Sequence, residues 1–283
     1  MTLKMRSLLL ISLFLGGCAS VTKQSDALLS THQHAFKSSA QVSGVPFINQ
    51  KVGQCGPATL TMAMNWAEKL ITVDEVLPQV YTPGMKGSFQ MDMITTARRQ
   101  GLLAIPISGL NDVLTEVDRG HPVIVFENLA LSWLPQWHYA IVFGYDLKNK
   151  TLLMHSGPEK NKKSDFREFE KSWRLADYWG LVVLPPNELS ATASELEHAK
   201  AAVAFEQIGK PEIAATAYQT MLTRWPQSLS ALVGMGNWEY MQGHLAKSIK
   251  YFKRASLEHP NSEAARHNLA VAEAASKELI SVQ

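Results

Sequence analysis

The stretch Val45-Pro46-Phe47-Ile48-Asn49-Gln50-Lys51-Val52-Gly53-Gln54-Cys55-Gly56-Pro57-Ala58 decides how this chain is read. After Cys55, apolar residues recur at Leu60, Ala63, Met64, Ala67, Leu70 and Ile71, a helical spacing that predicts one buried stripe. Pro57 suits the first helical turn, where its missing N–H has no partner to lose. Gly56 keeps bulk away from the approach to the sulfur. Cys55 is therefore expected at the N-terminus of a buried helix, where the positive end of the helix dipole favours thiolate over thiol. A structural cysteine belongs in the middle of such a stripe; a nucleophile belongs at its start.

A thiolate nucleophile needs an imidazole that keeps it ionised and later protonates the leaving amine. His32 and His34 fall in a polar N-terminal stretch, and His121 stands at a turn before Pro122. His198, His244, His259 and His267 lie in a helical C-terminal region, where polar positions read as surface. Two candidates remain, His138 and His155. His138 opens the apolar run Tyr139-Ala140-Ile141-Val142-Phe143-Gly144-Tyr145, which reads as a central strand able to hold it rigidly at a cleft.

Cys55-Gly56-Pro57-Ala58, Gly-His-Pro-Val-Ile-Val at 120–125 and His-Tyr-Ala-Ile-Val-x-Gly-Tyr-Asp at 138–146 resemble, in that order, the bacteriocin-processing (double-glycine leader) cysteine peptidases. The resemblance spans Val45 to Leu184 and implies a papain-like fold, Cys55 as nucleophile and His138 as general base and acid. It also implies an oxyanion-holding Gln upstream of the cysteine. Gln50 takes that role, one residue nearer the cysteine than is usual in the family, because the adjacent Gln54 is too close to reach the same oxygen. Relatives orient the histidine with an Asp on the next strand. Here that strand, Thr151 to Met154, runs into His155-Ser156-Gly157-Pro158, so Ser156 or His155 is left to accept the imidazole N–H as third member.

Pro185-Pro186-Asn187 breaks the chain, and no strand signal follows Ser190. The remainder repeats with a period of 34: Gly209 and Gly243 (243 − 209), Tyr218 and Phe252 (252 − 218), Pro226 and Pro260 (260 − 226). Ala202 matches Gly236 and Ala214 matches Ser248. This pattern resembles the tetratricopeptide repeat, with small residues where helices cross. Two repeats are followed by a capping helix over Glu263 to Lys277.

At the other end, Lys4 and Arg6 precede the apolar run Leu8 to Leu15 and then Gly16-Gly17-Cys18. The run is too short to cross a bilayer and suits a secretory signal. Leu-x-Gly-Cys resembles a bacterial lipobox, which implies lipidation at Cys18 and leaves Cys55 the only free thiol of the mature chain. No Asp follows Cys18; by resemblance to enterobacterial lipoproteins, that favours the outer membrane, facing the periplasm. Ala19 to Gly44 is polar and aperiodic and reads as a tether.

The expected organisation is a signal peptide (1–17), a flexible tether (18–44), an α+β papain-like cysteine peptidase domain (45–186) and an all-α tetratricopeptide-repeat domain (187–283). The 27 basic and 25 acidic residues give a net charge of +2, which offers no reason to expect nucleic acid. The basic cluster from Lys148 to Lys163 reads as a solvated loop. No His/Cys/carboxylate set has metal-ligand spacing, and no cofactor is expected. The expected function is a lipid-anchored envelope peptidase acting on a peptide or protein through a thioester, with the repeats recruiting substrate or a protein partner. The membrane is met through the lipid alone. Two alternatives are an amidase or acyltransferase on an envelope amide, and a non-catalytic assembly factor that works through its repeats.

Overall fold

The apolar run after His138 forms the middle of a sheet, and the rest of the fold is arranged around it. The computed structural model describes residues 21–32, 36–50 and 53–281. In chain order, α1 (Lys23–Ala27) runs into a π-helical turn (Leu28–His32), followed by β1 (Ser39–Gln41), α2 (Cys55–Trp66) and α3 (Val73–Val80). A small hairpin, β2 (Tyr81–Thr82) and β3 (Gly87–Ser88), leads to α4 (Gln90–Arg99), β4 (Leu103–Ser108) and α5 (Leu110–Asp118). Then come β5 (Val123–Asn128), β6 (Trp137–Asp146), β7 (Thr151–Ser156), β8 (Glu159–Asp165), α6 (Phe166–Trp173) and β9 (Trp179–Leu184). Five helices close the chain: α7 (Glu195–Gln207), α8 (Pro211–Arg224), α9 (Leu229–Met241), α10 (Leu245–Glu258) and α11 (Glu263–Ser281).

The main sheet is antiparallel in the order β4-β9-β5-β6-β7-β8. β6 is longer than β5, and β1 pairs with its far end, Ser39 opposite Asp146 and Gln41 opposite Gly144. Because side chains alternate along a strand, both faces are apolar. Ile124, Tyr139, Ile141, Leu181 and Val183 pack with Leu60, Met62 and Met64 of α2 on one face. Val123, Val125, Ala140, Val142 and Val182 pack with Phe166, Phe169 and Trp173 of α6 on the other. The α3 start is a capping box: Thr72 and Glu75 satisfy each other's backbone N–H.

Two sequence expectations need correcting. α2 is not a one-sided amphipathic helix ending at Ile71. Every residue from Gly56 to Met64 is buried, the helix stops at Trp66, and Leu70 is 87% exposed. A helix enclosed by a sheet, a hairpin and two other helices has no polar face for periodicity to mark. Of the segment read as a tether, residues 21–32 and 36–44 are built into the body. The carboxylate of Glu170, itself fully buried, accepts the backbone N–H groups of Gln24 (2.9 Å) and Ser25 (2.7 Å), while Leu28 and Val42 enter the core. This strip is held through its backbone, by a carboxylate and a strand edge, which a reading of its side chains does not reveal. Cys18 and the preceding signal-like run lie outside the described residues.

The C-terminal helices form antiparallel hairpins whose starts repeat at the sequence period: Glu195, Leu229, Glu263 and Pro211, Leu245. Small residues are required where they cross. A Cβ on Gly236 would strike the Phe252 ring and one on Gly234 the Tyr218 ring. Phe205 and Tyr218 share a continuous core with Leu103 and Val182 of the sheet, so no solvent layer divides the two parts.

Candidate active site

Cys55 is the first residue of α2, with Gln54 at the N-cap position. Its neighbour Gly56 is needed for a reason the sequence did not give. A Cβ there would strike the Cβ and Oγ of Ser88 on β3, which presses against the helix start. Thr59, one turn on, donates its hydroxyl to the Tyr139 carbonyl (3.3 Å) and accepts the Gln50 amide (3.3 Å), tying helix, upstream loop and β6 together.

Cys55, His138, Gln50 and Ser156 all line one cavity of about 960 Å³. The β2–β3 hairpin walls one side through Tyr81, Lys86 and Ser88, and Phe126, Leu129 and Trp137 wall another. The Ser88 hydroxyl is buried against the start of α2 with no hydrogen-bond partner among the described residues.

His138 Nε2 lies 2.9 Å from Ser156 Oγ, which stands where β7 meets its turn. Nδ1 has no hydrogen-bond partner among the described residues, and none joins His138 to Cys55. Of the two residues left open as third member, the sheet brings only Ser156 to His138. His155 alternates to the opposite face. There it accepts the Asn161 N–H (3.2 Å), reaches the Val45 carbonyl (3.4 Å) and sits against the Phe47 and Phe143 rings. Gln54 does not line the cavity, and the Gln50 amide points at Thr59 rather than at open space.

The electrostatics correct the expected thiolate. Burial pushes the Cys55 thiol up, and the N–H groups of Tyr139, Gly56 and Cys55 itself only partly oppose it. Burial also pushes His138 down, to about 4, and the Lys162 ammonium adds to the effect. Both shifts favour the neutral forms, because desolvation outweighs the hydrogen bonds that oppose it at Cys55 and is reinforced by Lys162 at His138.

Sequence reasoning missed two charged neighbours. Lys162, assigned to a solvated loop, lies on β8, lines the cavity and pairs with Glu159 at 3.4 Å. Glu127 is 5% exposed and stands directly across from His138 in the β5–β6 register; burial raises its pKa, and Ser172 donates to it at 2.7 Å. Strand alternation over Val123 to Asn128, with Glu127 falling where an apolar residue is expected, was the available signal. Among the described residues, no group of three His, Cys, Asp or Glu is arranged to hold a metal ion.

Residues 42–180 match the Peptidase_C39-like family. The α/β part of the chain is accordingly a cysteine peptidase domain, with the mixed helix-and-sheet architecture described above and a helical region after it. Among solved structures, a C39-like peptidase from Bacillus anthracis is similar over 54% of this chain and 100% of its own, at 15% identity and a TM-score of 0.46. A double-glycine-motif protease of an AMS/PCAT transporter, solved with its leader peptide, is similar over 52% of this chain and 98% of its own, with 20% identity and a TM-score of 0.39. The peptidase domain of Streptococcus ComA, a bifunctional ABC transporter of a quorum-sensing pathway, is similar over 50% and 99%, with 18% identity and a TM-score of 0.42. No curated protein matches the chain.

Proposed function

We propose that this chain is a lipid-anchored cell-envelope peptidase that cleaves a peptide bond through a thioester on Cys55, with His138 as base and acid. The observation carrying the reading is one cavity lined by the first residue of a buried helix, Cys55, together with His138, Ser156 and Gln50. The resting pair is neutral, so catalysis starts with proton transfer. In the tautomer that reacts, Nε2–H of His138 donates to Ser156 and Nδ1 is the base. Nδ1 takes the thiol proton as Sγ attacks the carbonyl carbon. The resulting oxyanion is met by the backbone N–H of Cys55 and by the Gln50 amide, once that amide leaves Thr59. His138 returns the proton to the departing amine and the C–N bond breaks. Water then attacks the thioester, His138 takes its proton, and Cys55 leaves as thiol.

In this reading Cys18 carries the lipid in the outer membrane, facing the periplasm, and the helices act as tetratricopeptide-type repeats that recruit a substrate or partner. Supporting the repeat assignment are the 34-residue spacing of helix starts and the glycines under Phe252 and Tyr218.

The test is alkylation by iodoacetamide at pH 7. Labelling of the folded chain disappears in Cys55→Ala and slows by roughly a hundredfold in His138→Ala. Equal labelling rates for native and denatured protein sink the assignment. Cleavage is read separately, as new N-termini in envelopes from wild type that are missing from Cys55→Ala.

A further inference from the structure

The loop joining β5 to β6, Leu129 to Gln136, holds no charged residue and turns its apolar side chains outward. Trp133 is 76% exposed, Leu134 62% and Leu131 55%. Soluble surfaces seldom gather large apolar groups this way without a partner. Nor is the loop slack. Asn128, itself buried, accepts the N–H groups of Ala130 (3.0 Å) and Gln136 (2.9 Å) through its side-chain oxygen, and its amide donates to the Leu131 carbonyl (3.3 Å). Leu131 and Leu134 bridge each other across the tip. The apolar groups are therefore presented by a braced hairpin, so the ordering entropy of exposing them has already been met.

What covers this tip is indicated by where the N-terminal segment is fastened. The Gln24 side chain accepts the N–H of Leu110 (2.6 Å), two residues after the end of β4. That end, Ser108, pairs with Trp179, and β9 in turn pairs Gly180 with Val125. The chain thus enters the body at the end of the sheet from which the 129–136 loop projects. Cys18 is three residues before Val21 (21 − 18), a reach of at most about 10 Å. An acyl group on Cys18 holds this end of the sheet close to the bilayer surface.

We infer that the 129–136 loop is a second, protein-borne membrane contact, with Leu131, Trp133 and Leu134 entering the interfacial layer of the bilayer beside the lipid anchor. Tryptophan and leucine suit that layer: an amphipathic ring at headgroup level with aliphatic side chains below it. With no charge in the loop, the contact does not depend on anionic lipid and is insensitive to salt. Leu129, Pro135 and Trp137 also line the active-site cavity, so its mouth opens at the membrane surface and favours substrates lying on or emerging from the bilayer. The orientation argument rests on the lipid-anchor reading above; the exposure and bracing of the loop do not.

The test uses the full chain purified from envelopes and placed in vesicles of phosphatidylethanolamine and phosphatidylglycerol with brominated acyl chains. Part of the tryptophan emission is quenched in wild type, and the quenched fraction falls by at least half in Trp133→Ser, a change at an exposed position that leaves folding intact. Adding 0.5 M salt, roughly a 4 Å screening length, leaves the quenching unchanged. Equal quenching in wild type and Trp133→Ser overturns the inference. So does slower alkylation of Cys55 in lipid-free Trp133→Ser, which would make the loop a peptide-binding wall. The mass of the N-terminal peptide reports the anchor separately. An acylated Cys18 without Trp133-dependent quenching removes the loop contact and keeps the anchor; quenching with an unmodified Cys18 does the reverse.

Discussion

The cleft and the junction between sheet and C-terminal helices each set a titratable side chain against a serine, yet one keeps its charge and the other is held neutral. At the junction Glu116 is fully buried, and burial works to raise its pKa. Against that, its carboxylate faces His121 Nδ1 (2.6 Å), the Ser190 hydroxyl (2.5 Å), and the hydroxyl (2.8 Å) and N–H (2.9 Å) of Thr192. These donors and the N–H of Ala191 win, and Glu116 is held at about 2. Ser190 is fixed in turn, its N–H given to His198 Nε2 (3.1 Å) and its carbonyl held by Arg224 (2.6 Å). In the cleft the His138 ring has Ser156 as its one hydrogen-bond partner among the described residues, with the Lys162 cation against it, and the shift is toward the neutral form. Burial has the same sign of cost in both places; the number of groups aimed at the charge decides whether it survives. A fully met network locks two parts together, whereas the cleft keeps Nδ1 of His138 and the Ser88 hydroxyl uncommitted.

The most forceful way to break this comparison is Glu116→Gln. A carboxylate lowered from 4.5 to about 2 is worth about 3 kcal/mol to the fold at neutral pH. Glu116→Gln is expected to lose stability on that scale, read from its urea midpoint at pH 7. Since the folded pKa is the lower one, this stability is present above pH 4.5 and lost as pH falls toward 2, so the two curves should converge in acid. A constant gap from pH 7 to pH 3 would mean the carboxylate's charge is not what holds the junction.

Ser156→Ala is next in size. Removing the one hydrogen-bond partner that the His138 ring has among the described residues should lower kcat/KM by about tenfold, equivalent to ~1.4 kcal/mol, a usual scale for one hydrogen bond. The urea midpoint should hardly move. An unchanged kcat/KM would show that strand packing alone orients the ring.

The subtlest effect is on pH dependence. With His138 lowered to about 4, its base form persists through the mildly acidic range, and the acid limb of kcat/KM should fall near pH 4 rather than near the ordinary 6.5. Lys162→Met removes a like charge and should move that limb upward. A limb that stays put, or moves down, would leave desolvation as the whole cause.

Much of the cleft was legible along the chain. Cys55 precedes Gly56-Pro57 and an apolar run, and His138 opens a strand; both signals are local, because helix starts and strand periodicity are written in adjacent residues. The 34-residue period was legible for the same reason. His198 was not: read as surface, it is 1% exposed, because its burial comes from Ser190 and Trp225 folding over it. The N-terminal polar stretch misled likewise, since the carboxylate that captures it, Glu170, lies 145 residues from Ser25.

Alone, the sequence determined that Cys55 opens a helix, that His138 stands at the start of a strand and that a helical array follows the sheet. Tertiary structure decided the rest. Register and alternation chose Ser156 over His155 and set Glu127 opposite His138. Enclosure favours the thiol over the expected thiolate, because desolvation is a property of the whole surrounding volume, which no stretch of sequence contains.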